Sequence, residues 1–312
     1  MGGPATSDPL RATPPPGDRL DEMCWIPGGR FWMGSQGFYV EEGPVREATC
    51  AGFWIDVHPV TTSAFRRFVE STGHVTVAER APEPETVPGA DPDALVPGSL
   101  VFSSPQGPVP LDDPRRWWRY VPGAYWARPE GPDGPRARDD HPVTHVTYAD
   151  ACAYAAWAGK ALPTEVEWEC AARGDLDGAV FAWGDEHEPD GRPVANTWQG
   201  AFPWQDLALD GYAGTSPVAS FPPNGFGLYD VCGNVWEWTA DPWHDSESTH
   251  AGAPCCTLGA ATAAPGQRVI KGGSYLCAPS YCFRYRPAAR QPNDVWTSTC
   301  HLGFRCVRHE PH

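Results

Sequence analysis

No segment of this 312-residue chain is apolar for long enough to span a bilayer, and its first twenty residues, MGGPATSDPLRATPPPGDRL, hold no hydrophobic stretch of the export type. Lysine is nearly missing, with only Lys160 and Lys271. Basic residues fall short as a group: 23 Lys and Arg stand against 39 Asp and Glu, a formal charge of −16. That deficit argues against a phosphate backbone or an anionic membrane as partner and suits a cationic one, such as a peptide carrying arginine. Without an export signal the expected compartment is reducing and cytoplasmic, where structural disulfides are rare. The eleven cysteines are odd in number, so at least one lacks an intrachain partner.

Glycine and proline, at 33 and 36 residues, interrupt helices and ladders, while fifteen tryptophans supply a core. The expectation is one loop-rich α+β domain over residues 23–309, built on aromatic rings and preceded by a disordered lead-in at 1–22. Strand-like residues recur in FWMGS (31–35) and CAGFWIDVHPV (50–60). A first helix, capped by Thr62 or Ser63, carries Phe65, Phe68 and Val69 on one face and stops at Gly73. A second starts at Thr147 with Asp150 in a capping-box position and stops at Gly159. A third is capped by Thr164 and Glu167 and ends at Gly174. Residues 81–140 read as irregular, with an aromatic patch (Trp117, Trp118, Tyr120, Tyr125, Trp126) suited to a packed, substrate-lining loop.

The C-terminal run RVIKGGSYLCAPSYCFRYRPAAR holds Cys277 and Cys282, five residues apart, among Lys271, Arg284, Arg286 and Arg290. Nearby cations favour thiolate over thiol, and two converging thiolates suit monovalent copper. From the residues alone the pair is a metal-thiolate or redox site, two buried structural cysteines, or a disulfide formed after purification. A dithiol that attacks disulfides fits less well, because the spacing is not Cys-x-x-Cys. Cys152, Cys170 and Cys306 read as small buried hydrophobes. His141 and His145 lack a third ligand at useful spacing and read as turn or core residues.

Four segments taken together, LPTEVEWECAARG (162–174), FPPNGFGLYDVCGNVWEWTAD (221–241), RVIKGGSYLCAPSYCFRYR (268–286) and LGFRC (302–306), resemble the formylglycine-generating enzymes, the sulfatase-modifying oxidases. NVWEW and LGFRC recur through the wider superfamily, whereas the run with the cysteine pair is narrower. The resemblance extends from about Trp25 to Arg308. It implies a single-domain, largely irregular fold of the C-type-lectin-like type. It also implies a reaction: oxidation of a cysteine within Cys-x-Pro-x-Arg of an unfolded sulfatase to Cα-formylglycine, using O2, a thiol reductant and copper(I).

Carried onto this chain, the resemblance makes Cys277 and Cys282 the copper ligands and places Ser274 to bond an oxygen species or the substrate backbone. Tyr275, Tyr281, Trp236 and His301 become candidates to line the pocket, and Glu83 a candidate to receive the substrate arginine. Two structural calcium sites are implied, one at Asn196, Thr197, Asp210 and Tyr212, the other at Asp230, Gly233, Val235 and Glu237, with carbonyl donors at Thr197, Tyr212, Gly233 and Val235. Acids that merely cap turns are the alternative. His301 stands where many relatives have asparagine, Ala278 where some have histidine, and Pro287 where secreted relatives have a disulfide cysteine, which accords with an intracellular bacterial form. The competing function is a non-catalytic lectin-like or partner-binding module. An iron sulfoxide synthase would add a helical domain with clustered histidines, which this chain lacks. A monomer is expected, with no nucleic acid or membrane partner.

Overall fold

The computed structural model describes residues 22–82, 95–244 and 266–309. Strand β1 (Met23–Ile26) buries its two end residues, and alternation of buried and exposed side chains draws β2 (Gly29–Met33) to the core. Strand β3 (Arg46–Cys50) pairs with β2, and β4 (Phe53–Asp56), buried throughout, pairs with β1. The short closing strand β11 (Val307–Arg308) adds to the other edge of β4, so the two ends of the described chain lie in one sheet. A second sheet has the order β10-β7-β8-β9, from Leu302–Gly303, Trp236–Pro242, Gln267–Lys271 and Arg290–Asp294.

The helices are α1 (Thr62–Thr72), α2 (Tyr148–Trp157) and α3 (Glu165–Arg173). Thr147 with Asp150 and Thr164 with Glu167 form reciprocal capping boxes, as expected. Helix α1 is capped one residue earlier than expected, by Thr61, whose hydroxyl accepts from the Ala64 amide, and Gly73 closes it in the left-handed region at φ 69°. Phe65 and Phe68 are buried on its inner face, where Phe65 stacks on Tyr154 of α2.

One expectation is corrected. Within 81–140, residues Gly98–Phe102 (β5) and Trp118–Pro122 (β6) pair as an antiparallel hairpin. Flanking proline and glycine masked two short strands whose ladder depends on a partner some twenty positions away. Trp117, Trp118 and Trp126 are buried as expected, while Tyr120 is exposed. From Gly174 to Val235 there is no regular element beyond one short 3-10 turn, so backbone groups there are satisfied by turn and loop contacts and by side chains. Asn224 alone donates to the carbonyls of Ala171 and Ala172 and accepts from the Phe226 and Leu228 amides.

Buried ion pairs join the β2–β3 hairpin to the second sheet through α3. Lys271, at the end of β8, is fully buried and donates to Glu169 at 2.9 Å. Glu169 also accepts from Arg173 and from the Gly34 amide, each at 2.7 Å. Burial pushes the Glu169 carboxyl up, but Lys271, Arg173 and the Gly34 amide outweigh it and hold the group below the usual range. Removing one partner strands a buried charge, so Lys271→Met is expected to cost about 3 kcal/mol. Adding Glu169→Gln should recover part of that loss. Denaturant midpoints at constant slope measure both.

Candidate active site

The second sheet delivers the cysteine turn. Strand β8 ends at Lys271 and continues as Gly272-Gly273-Ser274. Gly273, at φ 70°, lies so close to the backbone of Arg284 and Tyr285 that any side chain there would collide with it. Two tight turns follow. The Cys277 amide donates to the Ser274 carbonyl at 2.9 Å, and the Ala278 carbonyl accepts from Tyr281 at 3.1 Å and Cys282 at 2.8 Å. Pro279 sits at the second position of the latter turn, where its fixed φ is favourable.

Together these turns bring Cys277 Sγ to 3.1 Å from Cys282 Sγ, with both residues 1% exposed. No disulfide joins them. Cys277 Sγ also accepts from the Ser274 amide at 3.4 Å, and the Ser274 hydroxyl accepts from the Leu276 amide at 3.3 Å. Two soft sulfurs converging in a dry site are a donor set that fits copper(I).

Each of the four cations near the pair has a carboxylate partner. Lys271 bonds Glu169, and Arg290 forks onto Glu165 at 2.7 and 3.0 Å. Arg284 pairs with Glu41 and stacks over Tyr39, and Arg286 pairs with Glu42 beneath Phe38. Each carboxylate neutralises its cation, so the motif's charges serve as anchors for the turn. The segment Phe38–Glu42 was missed as part of the site. Its acidic doublet, facing an arginine-rich segment in a chain short of basic residues, was the available signal.

Of the expected pocket residues, Tyr281 stacks on Phe202 at 4.5 Å and meets Trp117 edge-on at 5.6 Å. Phe202 in turn packs on Trp198, whose amide donates to the Cys277 carbonyl at 3.1 Å. Tyr281, Phe202, Trp117 and Trp198 thus form an aromatic wall continuous with the cysteine turn. The indole N–H groups of Trp117 and Trp198 are buried with no acceptor among the described residues, as are those of Trp118, Trp126 and Trp236. Tyr275 reaches Cys300 Sγ at 3.3 Å. Trp236 and His301 form a second group, linked by the Trp236 amide and the His301 carbonyl at 2.8 Å, with His301 packed on Trp118. Glu83 lies outside the described residues.

The two expected calcium sets flank the turn. Asn196 Oδ1 is buried without a hydrogen-bond donor among the described residues. Asp210 accepts from the amides of Thr197 and Tyr212 at 3.1 and 2.9 Å. No three or more His, Cys, Asp or Glu side chains converge among the described residues, so a hard cation here would draw on amide and backbone oxygens, as this first set offers.

The second set is engaged differently. Both Glu237 oxygens accept from Arg305, at 2.7 and 2.8 Å, and one also from Trp168 at 2.7 Å. Arg305 therefore supplies the charge that a metal would supply. Burial raises the Asp230 carboxyl, against the pull of the Ala219 amide and Arg305. The loops brace the cysteine turn directly. Gly233 donates to the Gly272 carbonyl at 2.9 Å, Tyr275 donates to that of Asn234 at 3.0 Å, and Asn234 donates to that of Asn196 at 2.8 Å.

A family model, described as the sulfatase-modifying factor enzyme 1-like domain, matches residues 11–310. The chain is 52% identical to the formylglycine-generating enzyme of Mycobacterium tuberculosis, over 92% of this chain and 98% of that protein. It is 47% identical to the Thermomonospora curvata enzyme of the same name, over 91% and 92%. It is also 40% identical to the mouse protein named inactive C-alpha-formylglycine-generating enzyme 2, over 91% and 85%. Among solved structures, PvdO from Pseudomonas aeruginosa superposes with a TM-score of 0.61 at 27% identity, covering 92% of this chain and 94% of that one. No helix among the described residues is long and apolar enough to cross a membrane.

The buried histidine beside this site gives the fold a pH dependence. Burial lowers His145 to about 3, a carbonyl contact with Pro129 opposes that, and His301 adds to it. The unfolded chain binds this proton near pH 6.5, so the contribution to stability is complete above that pH and is lost as pH falls toward 3. Glu169, held low, acts in the same direction under acid conditions. Thermal melts are expected to fall progressively below pH 6.5, by about 1.4 kcal/mol per unit from His145, and His145→Gln should flatten the slope between pH 6 and about 4.5. Taking together the cysteine turn, the braced loops and the match along nearly its whole length, the chain belongs to the formylglycine-generating enzyme family of sulfatase-modifying factors.

Proposed function

We propose that this protein is an oxidase that converts a cysteine within a Cys-x-Pro-x-Arg segment of an unfolded sulfatase to Cα-formylglycine, with O2 as oxidant and an external thiol as reductant. The observation that carries this reading is the convergence of Cys277 and Cys282 to 3.1 Å in a buried turn. Identity alone is insufficient, because a relative named inactive matches over the same span. Bound by the two sulfurs, copper(I) supplies a redox centre able to engage a soft thiolate and dioxygen.

The chain's own residues do the rest. The Ser274–Cys277 and Ala278–Cys282 turns hold the sulfurs together before any metal arrives, which limits reorganisation. The Ser274 hydroxyl, next to Cys277, is available to an oxygen species or a substrate amide. Tyr281, Phe202, Trp117 and Trp198 pack against one another beside the turn and exclude water from the pair. The acidic body attracts the substrate arginine. Calcium at Asn196, Thr197, Asp210 and Tyr212 would fix the loop whose Trp198 amide holds Cys277. For the Glu237 set the donors are weaker, since Arg305 already balances the acid.

Incubating the protein with a Cys-x-Pro-x-Arg peptide, thiol and oxygen, with and without copper(I), tests the reading by peptide mass. A copper-dependent change of cysteine to aldehyde is expected, and Cys277→Ser or Cys282→Ser should reduce it to background with an unchanged melting temperature. A fully turning-over serine variant would sink the metal-thiolate assignment, and no conversion by reduced, copper-loaded protein would favour the binding-module reading. Independently, a calcium chelator is expected to lower Tm of the wild type. Asp210→Asn should lower Tm by itself and abolish the chelator's effect.

A further inference from the structure

A second pair of thiols meets outside the cysteine turn. Cys50 closes β3, and Cys170, expected only to fill the core, lies in α3, the helix that packs on that strand. Strand β3 turns Ala48 and Cys50 inward and leaves its other residues exposed. Both cysteines belong to the main core, their thiols share a hydrogen bond, and no disulfide joins them. The hairpin is held on the helix around this contact. Glu169 accepts the Gly34 amide at 2.7 Å, Arg173 donates to the Gly34 carbonyl at 3.0 Å, and Asp177 accepts the Trp32 amide at 2.9 Å. The bond to Cys170 first, then burial and the charges of Cys170 and Glu167, push the Cys50 thiol up. The pair therefore rests as two neutral thiols. A copper(I) dithiolate here would carry net negative charge into an apolar cluster beside a carboxylate, which is unfavourable. A disulfide is neutral and needs no counter-ion. Hydrogen-bonded thiols are already in contact and need only a further approach to the bonded length of about 2 Å.

We propose that Cys50 and Cys170 form a reversible disulfide site, which staples the β2–β3 hairpin to α3 when low-molecular-weight disulfides accumulate. The chemistry of the pair is independent of the oxidase reading. Only one source of its oxidant rests on that reading, since the external thiol consumed there is left as a disulfide. One cysteine sulfur loses its proton and attacks the small disulfide, whose S–S bond breaks as a mixed disulfide forms and one small thiolate leaves. The other cysteine sulfur loses its proton, attacks the protein sulfur of the mixed disulfide and expels the second small thiolate. The two protons end on the two small thiols, and two electrons pass from the cysteines to the small disulfide. Attack begins most readily at Cys50, the last residue of its strand and the neighbour of exposed Ala51. A raised thiol offers little thiolate, so closure is slow and follows lasting rather than momentary oxidation. The staple closes the loop from residue 50 to residue 170 and removes entropy from the unfolded chain. It also steadies the helix whose Glu169 holds Lys271 at the entrance to the cysteine turn.

The test equilibrates native full-length protein with mixtures of oxidised and reduced glutathione and blocks free thiols with N-ethylmaleimide before unfolding. Non-reducing digestion and mass spectrometry then map the joined cysteines. Wild type is expected to yield peptides joined through Cys50 and Cys170, in a fraction that rises with the oxidised share and falls again with excess thiol. Cys282→Ser, which removes the active pair from the exchange, should keep this link and gain about 5 °C in Tm on closing it. Adding Cys50→Ala or Cys170→Ala to that variant should abolish both the link and the gain. Absence of the link in wild type at the oxidising extreme overturns the proposal, as does a link that leaves Tm unchanged. Copper(I) titration of reduced wild type supplies a further check. A second equivalent per chain that Cys50→Ala removes overturns the proposal by making the pair a metal site. Wild-type protein that forms the link but converts no Cys-x-Pro-x-Arg peptide overturns the oxidase reading instead and leaves the disulfide site in place.

Discussion

The buried ion pair between Lys271 and Glu169 is the contact on which the rest of the structure depends. Glu169 sits on α3, Lys271 closes β8, and the next residues turn directly into the cysteine motif. Glu169 also accepts the Gly34 amide, so one carboxylate ties the β2–β3 hairpin, the third helix and the second sheet to a single point. Burying such charges is costly unless each is met by an opposite charge and by hydrogen bonds. In a chain with so few regular elements this demand is useful, because a satisfied ionic cluster tolerates little displacement and so fixes where the loops begin.

The same logic extends outward to the site. Arg284, Arg286 and Arg290 are anchored by Glu41, Glu42 and Glu165, and Arg305 by Glu237. The cysteine turn is thus held in a frame of matched charges while both cysteines are buried. That division separates two jobs. The ionic frame positions the turn, and the dry aromatic wall from Tyr281 to Trp198 sets the environment in which the thiols react. The loops at 196–199 and 233–235 close the arrangement with backbone bonds to Cys277, Gly272 and Tyr275.

Parts of this arrangement were legible in the sequence because they depend on near neighbours. The capping boxes at Thr147 and Thr164 involve residues three apart, and the stop at Gly73 is a single residue's backbone freedom. The cysteine pair stood out by its close spacing, and the family resemblance, not the spacing, singled out its role. The β5–β6 hairpin was not, since neither strand has a strong local signature and the ladder forms only when both are present. The ion pairs of the cations were not legible for a related reason: their carboxylate partners lie more than a hundred positions away.

The sequence by itself determined the class of the chain, its loop-rich aromatic character, the ends of its helices and the identity of the cysteine pair, all of which follow from composition or from interactions across a few residues. The tertiary structure decided what surrounds that pair. It chose which acids neutralise the arginines, placed Phe202 and Trp117 against Tyr281, engaged Glu237 with Arg305 and set His187 against Tyr285. Those contacts join segments far apart in the chain, and their energies exist only once the core has closed and water has been excluded from it.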